Sequence, residues 1–163
     1  MAPDAFKSGP IYLRYHDMHL TKKSTYALQG LVYLASRERG AIVSLATVAE
    51  VQALPATFLA KIFQDLARHG VLEADRGRGS GYMLRRAPTE VRVREIVEAV
   101  EGPMALRKCL LWSNDCGDAD PCPLHYRLEE CHARIDRVLD EVSLAEYVEL
   151  SAHVKSEQRG ATS

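Results

Sequence analysis

The chain has 163 residues, a formal net charge of −1 and 47% hydrophobic residues. That suits one domain with an ordinary core, or one domain with an appended helix. No apolar run reaches the roughly eighteen residues that a membrane-spanning helix needs. The opening MAPDAFKSGP lacks the apolar h-region of a secretory signal. The expected location is therefore the cytoplasm. In that reducing compartment clustered cysteines more often bind metal or sense redox state than form structural disulfides. Charge is unevenly divided. Residues 1–94 carry 14 Lys/Arg against 8 Asp/Glu, and residues 95–163 carry 7 against 14. A basic front half and an acidic back half suggest one face turned toward a polyanion.

Residues 1–17 lack periodicity and contain Pro3, Gly9 and Pro10, which predicts a flexible arm. Leu20 to about Glu38 reads as a helix. Ala27, Leu28, Leu31, Leu34 and Ala35 form one apolar stripe, Thr21 is placed to cap the start, and Gly40 follows the end. Lys22, Lys23 and Thr25 in its first turn are candidates to reach phosphate. Ser44 caps a second helix, Leu45 to Val51. After a tight connection, Pro55 opens a third helix that runs to Arg68 and is stopped by Gly70. Its inward face is Leu59, Ile62, Phe63 and Leu66. A short helix, a tight turn and a longer helix make a helix-turn-helix.

The third helix is the candidate reader of DNA. Its outward positions are Thr57, Phe58, Ala60, Lys61, Gln64 and Arg68. Thr57 and Lys61 are the expected groove contacts, and Phe58 is placed to pack on backbone or a thymine methyl. Two short strands follow, Val71–Ala74 and Gly81–Leu84, around the tip Asp75-Arg76-Gly77-Arg78-Gly79-Ser80. This predicts a hairpin wing. Its arginines, Arg76 and Arg78, suit a narrow minor groove, where the negative potential is enhanced. Arg85 and Arg86 at the hairpin exit are further candidates for phosphate contact. A fourth helix, Arg92 to Glu101, turns Val93, Ile96, Val97 and Val100 inward and ends at Gly102-Pro103.

Next comes CLLWSNDCGDADPCPLH, residues 109–125, with three of the four cysteines and one histidine. The spacing is Cys109-x6-Cys116-x5-Cys122-x2-His125. The intervening residues are polar and aperiodic, so packing is a poor reason for so many soft ligands. Cys122 and His125 lie one helical turn apart, beside Pro123, and can aim at one centre. Zinc takes Cys₃His in closed tetrahedral sites, and iron–sulfur clusters take thiolates with an occasional His. Spacing leaves both open. Beyond it, Leu124, Leu128, Cys131, Ile135, Val138 and Val142 repeat at intervals of four and three. That is a heptad seam, which wants a partner helix. Cys131 is expected to lie in that apolar seam rather than among the ligands. A short last helix, Ser143 to about Val154, and a frayed tail, 155–163, complete the chain.

Several motifs together resemble the Rrf-two family of bacterial winged-helix transcription regulators. They are Met18-x-Leu20-Thr21 with Tyr26-Ala27, the Leu59–Gly70 helix, Arg76-Gly77-x-Gly79-x-Gly81-Tyr82 and the cysteine segment. The resemblance runs from Met18 to about Val148. Among the family's members it is greatest to the IscR-like ones, whose three cysteines and C-x-x-H histidine hold a [2Fe-2S] cluster. It implies that Cys109, Cys116, Cys122 and His125 do so here, with a [4Fe-4S] cluster or zinc as alternatives. NsrR-like members complete a four-iron cluster with an Asp in the first helix. Thr25 stands at that position here, which favours His125. CymR-like members lack the three cysteines. The resemblance also implies minor-groove contact by Arg76 and recognition contacts by Thr57, Phe58 and Lys61. This sequence departs in its first cysteine gap, six residues rather than five, and in Arg78 and Ser80 at wing positions where proline and glycine are common. Ala60 replaces a glutamate that discriminates between targets.

The expected fold is mainly α with a small β-hairpin wing. It comprises a winged helix-turn-helix DNA-binding domain over 18–104, a cysteine-rich cluster loop over 105–125 and a dimerisation helix with a terminal short helix over 126–154. The expected function is an iron–sulfur-dependent transcription regulator that binds a double-stranded DNA operator as a homodimer, away from membranes. Alternatives are a zinc-structured or thiol-based redox regulator, and an electron-transfer or cluster-carrier protein, which would have no need of Arg76 and Arg78. No nucleophile–base pair and no phosphate loop point to an enzyme.

Overall fold

A computed structural model describes residues 21–75, 77, 80–103, 121 and 123–160, with side chains through Val154. The arm expected over 1–17 lies outside them, as do Met18 and Leu20. The first helix, α1, spans Lys22–Ala35. It begins at Lys22 because Thr21 caps it, with the Thr21 Oγ1 accepting the Lys23 N–H at 3.1 Å. The second, α2 (Leu45–Val51), is capped by the Ser44 Oγ, which accepts the Thr47 N–H at 3.1 Å. Helix α3 spans Ala56–Arg68 and starts directly after Pro55.

The core forms where these helices cross. Leu59, Phe63 and Leu66 of α3 are 0% exposed, as are Ala27 and Leu31 of α1. Gly30 sits at the crossing of α1 and α3. A Cβ there would lie 2.8 Å from the Phe63 ring, so only glycine lets the two helices approach this closely. That close approach offsets the cost of about 1 kcal/mol that glycine brings to a helix interior.

Strands β1 (Leu72–Asp75) and β2 (Gly81–Leu84) form the antiparallel hairpin, Leu72 opposite Leu84 and Asp75 opposite Gly81. A third piece joins them. Val43, just before α2, exchanges both backbone hydrogen bonds with Tyr82, at 3.0 and 2.9 Å. A Cβ at Gly81 would lie 2.5 Å from the Val43 carbonyl oxygen, so this edge demands glycine. After a 3-10 turn at Pro88–Glu90 comes α4 (Val93–Glu101), with Val93, Ile96, Val97 and Val100 buried.

Helix α5 (His125–Glu141) leads into α6 (Leu144–Gly160). The expected short last helix and frayed tail give way to one helix that reaches Gly160. No Gly or Pro interrupts it before that residue, and buried Leu144 with half-buried Tyr147 and Val148 fastens it to the core. The last turns of α5 are tied to the start of α4. Arg94 pairs with Asp136 at 2.9 Å and Asp140 at 2.6 Å, and the Val93 N–H donates to the Val142 carbonyl at 3.0 Å.

The face that α5 turns inward carries His125, His132 and half-buried Leu139. The expected apolar seam divides: Leu128 and Val142 are half-buried, Val142 against the core, and the rest stays outside. Leu124 is 49% exposed, Ile135 39% and Val138 56%. Cys131, expected in a packed seam, is exposed in the single chain. No helix among the described residues is long and apolar enough to cross a membrane.

Candidate nucleic-acid interface and cofactor segment

Helix α3 holds its inner row so tightly that its outer row is fixed in direction. Thr57, Lys61 and Gln64 are exposed along it. Arg68, also exposed, pairs with Asp65 at 3.0 Å, a surface ion pair of small energetic weight. Phe58 behaves differently from its neighbours. It is half-buried and meets Tyr26 of α1 edge-to-face, with ring centroids 5.7 Å apart. That contact makes Phe58 a brace between α1 and α3.

Between α3 and the hairpin runs an open groove of about 960 Å³, whose lining includes Gln64, Arg68, Tyr82 and Arg85 together with Glu73 and Asp75. The hairpin tip is shaped locally. Asp75 Oδ1 accepts the Gly77 N–H at 3.1 Å, and the Ser80 N–H donates to the Gly77 carbonyl at 3.1 Å. Arg76 and Arg78 lie outside the described residues.

The two arginines at the hairpin exit part company. Arg85 is exposed. Arg86 is taken by Glu95 of α4 and also donates to the Glu90 carbonyl at 3.1 Å. Burial pushes the Glu95 carboxyl up, but the hydrogen bonds from Arg86 and from the Arg92 backbone, with the two positive charges, hold it below the usual range. Arg86 therefore fastens the hairpin to α4 and is not placed as a phosphate contact. The sequence shows two adjacent arginines and no sign that a carboxylate nine residues on claims one of them.

At the cofactor segment, Cys109, Cys116 and Cys122 lie outside the described residues. Among the described residues no three potential metal ligands cluster. His125 is described. It opens α5, is 4% exposed and packs edge-to-face on Tyr126 at 5.2 Å between ring centroids. His125 is the one member of the expected donor set among the described residues. The donor set of three thiolates and an imidazole fits either a soft metal or an iron–sulfur cluster.

One polar cluster has no counterpart in the sequence reading. The carboxylate of Glu101, the last residue of α4, receives the Thr21 N–H at 3.0 Å, the Thr21 hydroxyl at 2.6 Å and the Ser24 hydroxyl at 2.8 Å. No local spacing signals it, because the partners stand 77 and 80 residues apart.

The family model described as "Rrf2: Iron-dependent Transcriptional regulator" matches residues 20–150. A helix-turn-helix transcriptional regulator of Haemophilus influenzae is 34% identical over 131 residues, 80% of this chain and 87% of that one. The transcriptional regulator IscR of Photorhabdus laumondii is 30% identical over 131 residues, 80% and 79% of the two chains. Among solved structures, CymR, the global cysteine regulator of B. subtilis, superposes with a TM-score of 0.65 at 23% identity over 80% of this chain and 95% of that one. T. potens IscR does so with a TM-score of 0.63 at 24% identity, over 80% and 86%. Both structures share the winged-helix fold seen here.

Proposed function

We propose, for a chain that belongs to the Rrf2 family of DNA-binding transcriptional regulators, that DNA grip is governed by an iron–sulfur cluster held by Cys109, Cys116, Cys122 and His125. The observation that carries the reading is the donor set itself, three thiolates and an imidazole at or before the start of α5, with His125 buried as the first residue of that helix. The similarity to IscR proteins at about 30% identity supports a [2Fe-2S] cluster over zinc. When bound, the cluster supplies a tie among those four residues that oxidation or nitric oxide can break.

The chain's own residues supply the rest. Thr57 and Lys61 project from α3 toward a major groove, and Arg76 and Arg78 sit at the hairpin tip for the adjacent minor groove. Gln64 and Arg85 line the groove between α3 and the hairpin. The exposed row Leu124, Ile135 and Val138 on α5 is the surface for a second copy, so that two heads read two half-sites of a palindromic operator. The cysteine segment joins α4 of the head to α5, so a change in cofactor alters how head and dimer helix are held. A shift between two dimer geometries needs only a few kcal/mol of differential stability.

The test begins with anaerobic purification, a visible absorption spectrum, and iron, sulfide and zinc content. Iron and sulfide in the protein, with a spectrum changed by His125→Ala and unchanged by Cys131→Ala, is the expected outcome. A colourless, zinc-only protein overturns the cluster. Arg76→Ala should weaken binding to a duplex that the wild type selects from a randomised pool, and leave the spectrum alone.

A further inference from the structure

We propose that Glu101 is the positioning residue through which the state of the cysteine segment reaches the recognition helix α3. The inference rests on the cluster-controlled reading above and names the residue that transmits it. Glu101 ends α4, and the chain passes from there through Gly102 and Pro103 toward Cys109. A change in the path of that segment acts on this end of α4 as well as on the start of α5.

There the Glu101 Oε1 receives three donors from one helix start, the Thr21 N–H, the Thr21 hydroxyl and the Ser24 hydroxyl. Ser24 is fully buried. A cap alone would not require this arrangement, because the Thr21 Oγ1 already caps α1 by accepting the Lys23 N–H. Nor is it needed to hold α4, whose Ile96 and Val97 are 0% exposed and whose Val100 is buried with them in the core. What Glu101 adds is a directional link between the exit of α4 and the entry of α1. Its negative charge also faces the positive end of the α1 dipole. Burial alone would raise the Glu101 carboxyl, but the hydrogen bonds from Thr21 and Ser24 outweigh it and hold the group below its ordinary value. It is charged at neutral pH.

From α1 the route continues through packed rings. Tyr26, two residues after Ser24, meets Phe58 edge-to-face at 5.7 Å. One turn further along, Gly30 admits the Phe63 ring against the α1 backbone. These two contacts join α1, from the turn after Ser24 onward, to the part of α3 that carries Thr57 and Lys61. Close-packed contacts of this kind transmit displacement instead of absorbing it.

The experiment compares cluster-loaded and cluster-stripped protein for affinity to the duplex that loaded wild type selects. Coupling of this sort ordinarily makes the ratio of the two affinities about 5- to 150-fold. In Glu101→Ala the ratio should fall to about twofold or less, while the visible spectrum of the loaded protein stays as in the wild type. Ser24→Ala, a smaller change that removes one donor, should reduce the ratio partially. The double variant should be no worse than Glu101→Ala alone, because both belong to one link. A wild-type-sized ratio in Glu101→Ala and Ser24→Ala overturns the inference. So does an equal loss of affinity in loaded and stripped forms, which marks a purely structural residue. A wild type that carries the cluster yet binds with a ratio of one overturns cofactor control itself, and this inference falls with it.

Discussion

Helices α3 and α5 each carry an apolar row at helical spacing, and the molecule treats them in opposite ways. In α3 the row Leu59, Ile62, Phe63 and Leu66 is at most 2% exposed, and the chain itself supplies everything it packs against. In α5 the row Leu124, Ile135 and Val138 is 39–56% exposed, and the inner side, where Leu139 and Val142 are only half-buried against the core, is also held by polar ties. Arg94 reaches Asp136 and Asp140, the Arg92 Nη1 donates to the Glu141 carbonyl at 2.9 Å, and the Leu144 N–H donates to the Val91 carbonyl at 2.8 Å. The difference teaches that the reading head is self-sufficient, whereas α5 is attached by bonds that specify direction and leaves its apolar surface for another occupant.

Emptying the core of the head should have the largest effect. Phe63→Ala removes a fully buried ring from the contact of α1, α3 and β2, where it also meets Tyr82 at 5.2 Å. The expected loss is about 3–5 kcal/mol of unfolding free energy, read from denaturant midpoints at fixed protein concentration. A loss under about 1 kcal/mol would mean that the head is less self-contained than its burial implies.

The same contrast explains what the sequence disclosed. Apolar period, caps and turn residues disclosed α2 through α4 nearly to the residue, and α1 with its start and end set too wide, because Thr21, Ser44 and Gly70 act within their own neighbourhoods. The hairpin was legible from its alternation and glycines. Val43, which completes its edge, was not, since a single paired residue has no period. Phe58 looked outward by helical spacing, but Tyr26, thirty-two residues earlier, holds it. Arg86 and Glu101 were missed for a related reason, as their partners come from other elements. The reach of α6 was underestimated because a polar stretch such as residues 155–160 gives a helix little pattern to count. Of the candidate site, the donor types and the place of His125 could be read, and Cys109, Cys116 and Cys122 lie outside the described residues.

An intermediate effect is expected on the exposed row. Ile135→Asp puts a carboxylate at a position 39% exposed in the single chain. If this row is the seam between two copies, the dimer dissociation constant should rise at least about tenfold, roughly 1.4 kcal/mol. The unfolding of the head should change by no more than about 0.5 kcal/mol, as at a surface position. Sedimentation equilibrium measures the first and chemical denaturation of the separated monomer the second. Unchanged association would remove this row from the interface.

The smallest effect is also the one that tells the two kinds of attachment apart. Arg94 is 23% exposed and bridges Glu98 of its own helix to Asp136 and Asp140 of α5, whose exposures are 17% and 54%. Partial exposure screens these pairs, so Arg94→Ala should cost about 1 kcal/mol rather than the larger penalty of a fully buried charge. The deficit arises from carboxylates on two helices that lose the guanidinium they share and then repel one another. Salt shortens the range of that repulsion to about 3 Å at 1 M, so the Arg94→Ala deficit should shrink as sodium chloride is raised. The Phe63→Ala deficit comes from a void and lost apolar contact, and it should persist at every salt concentration. Equal salt responses in the two variants would show that α5 is fastened to the head by packing after all, and that the polar ties on its inner face are decoration on an apolar contact.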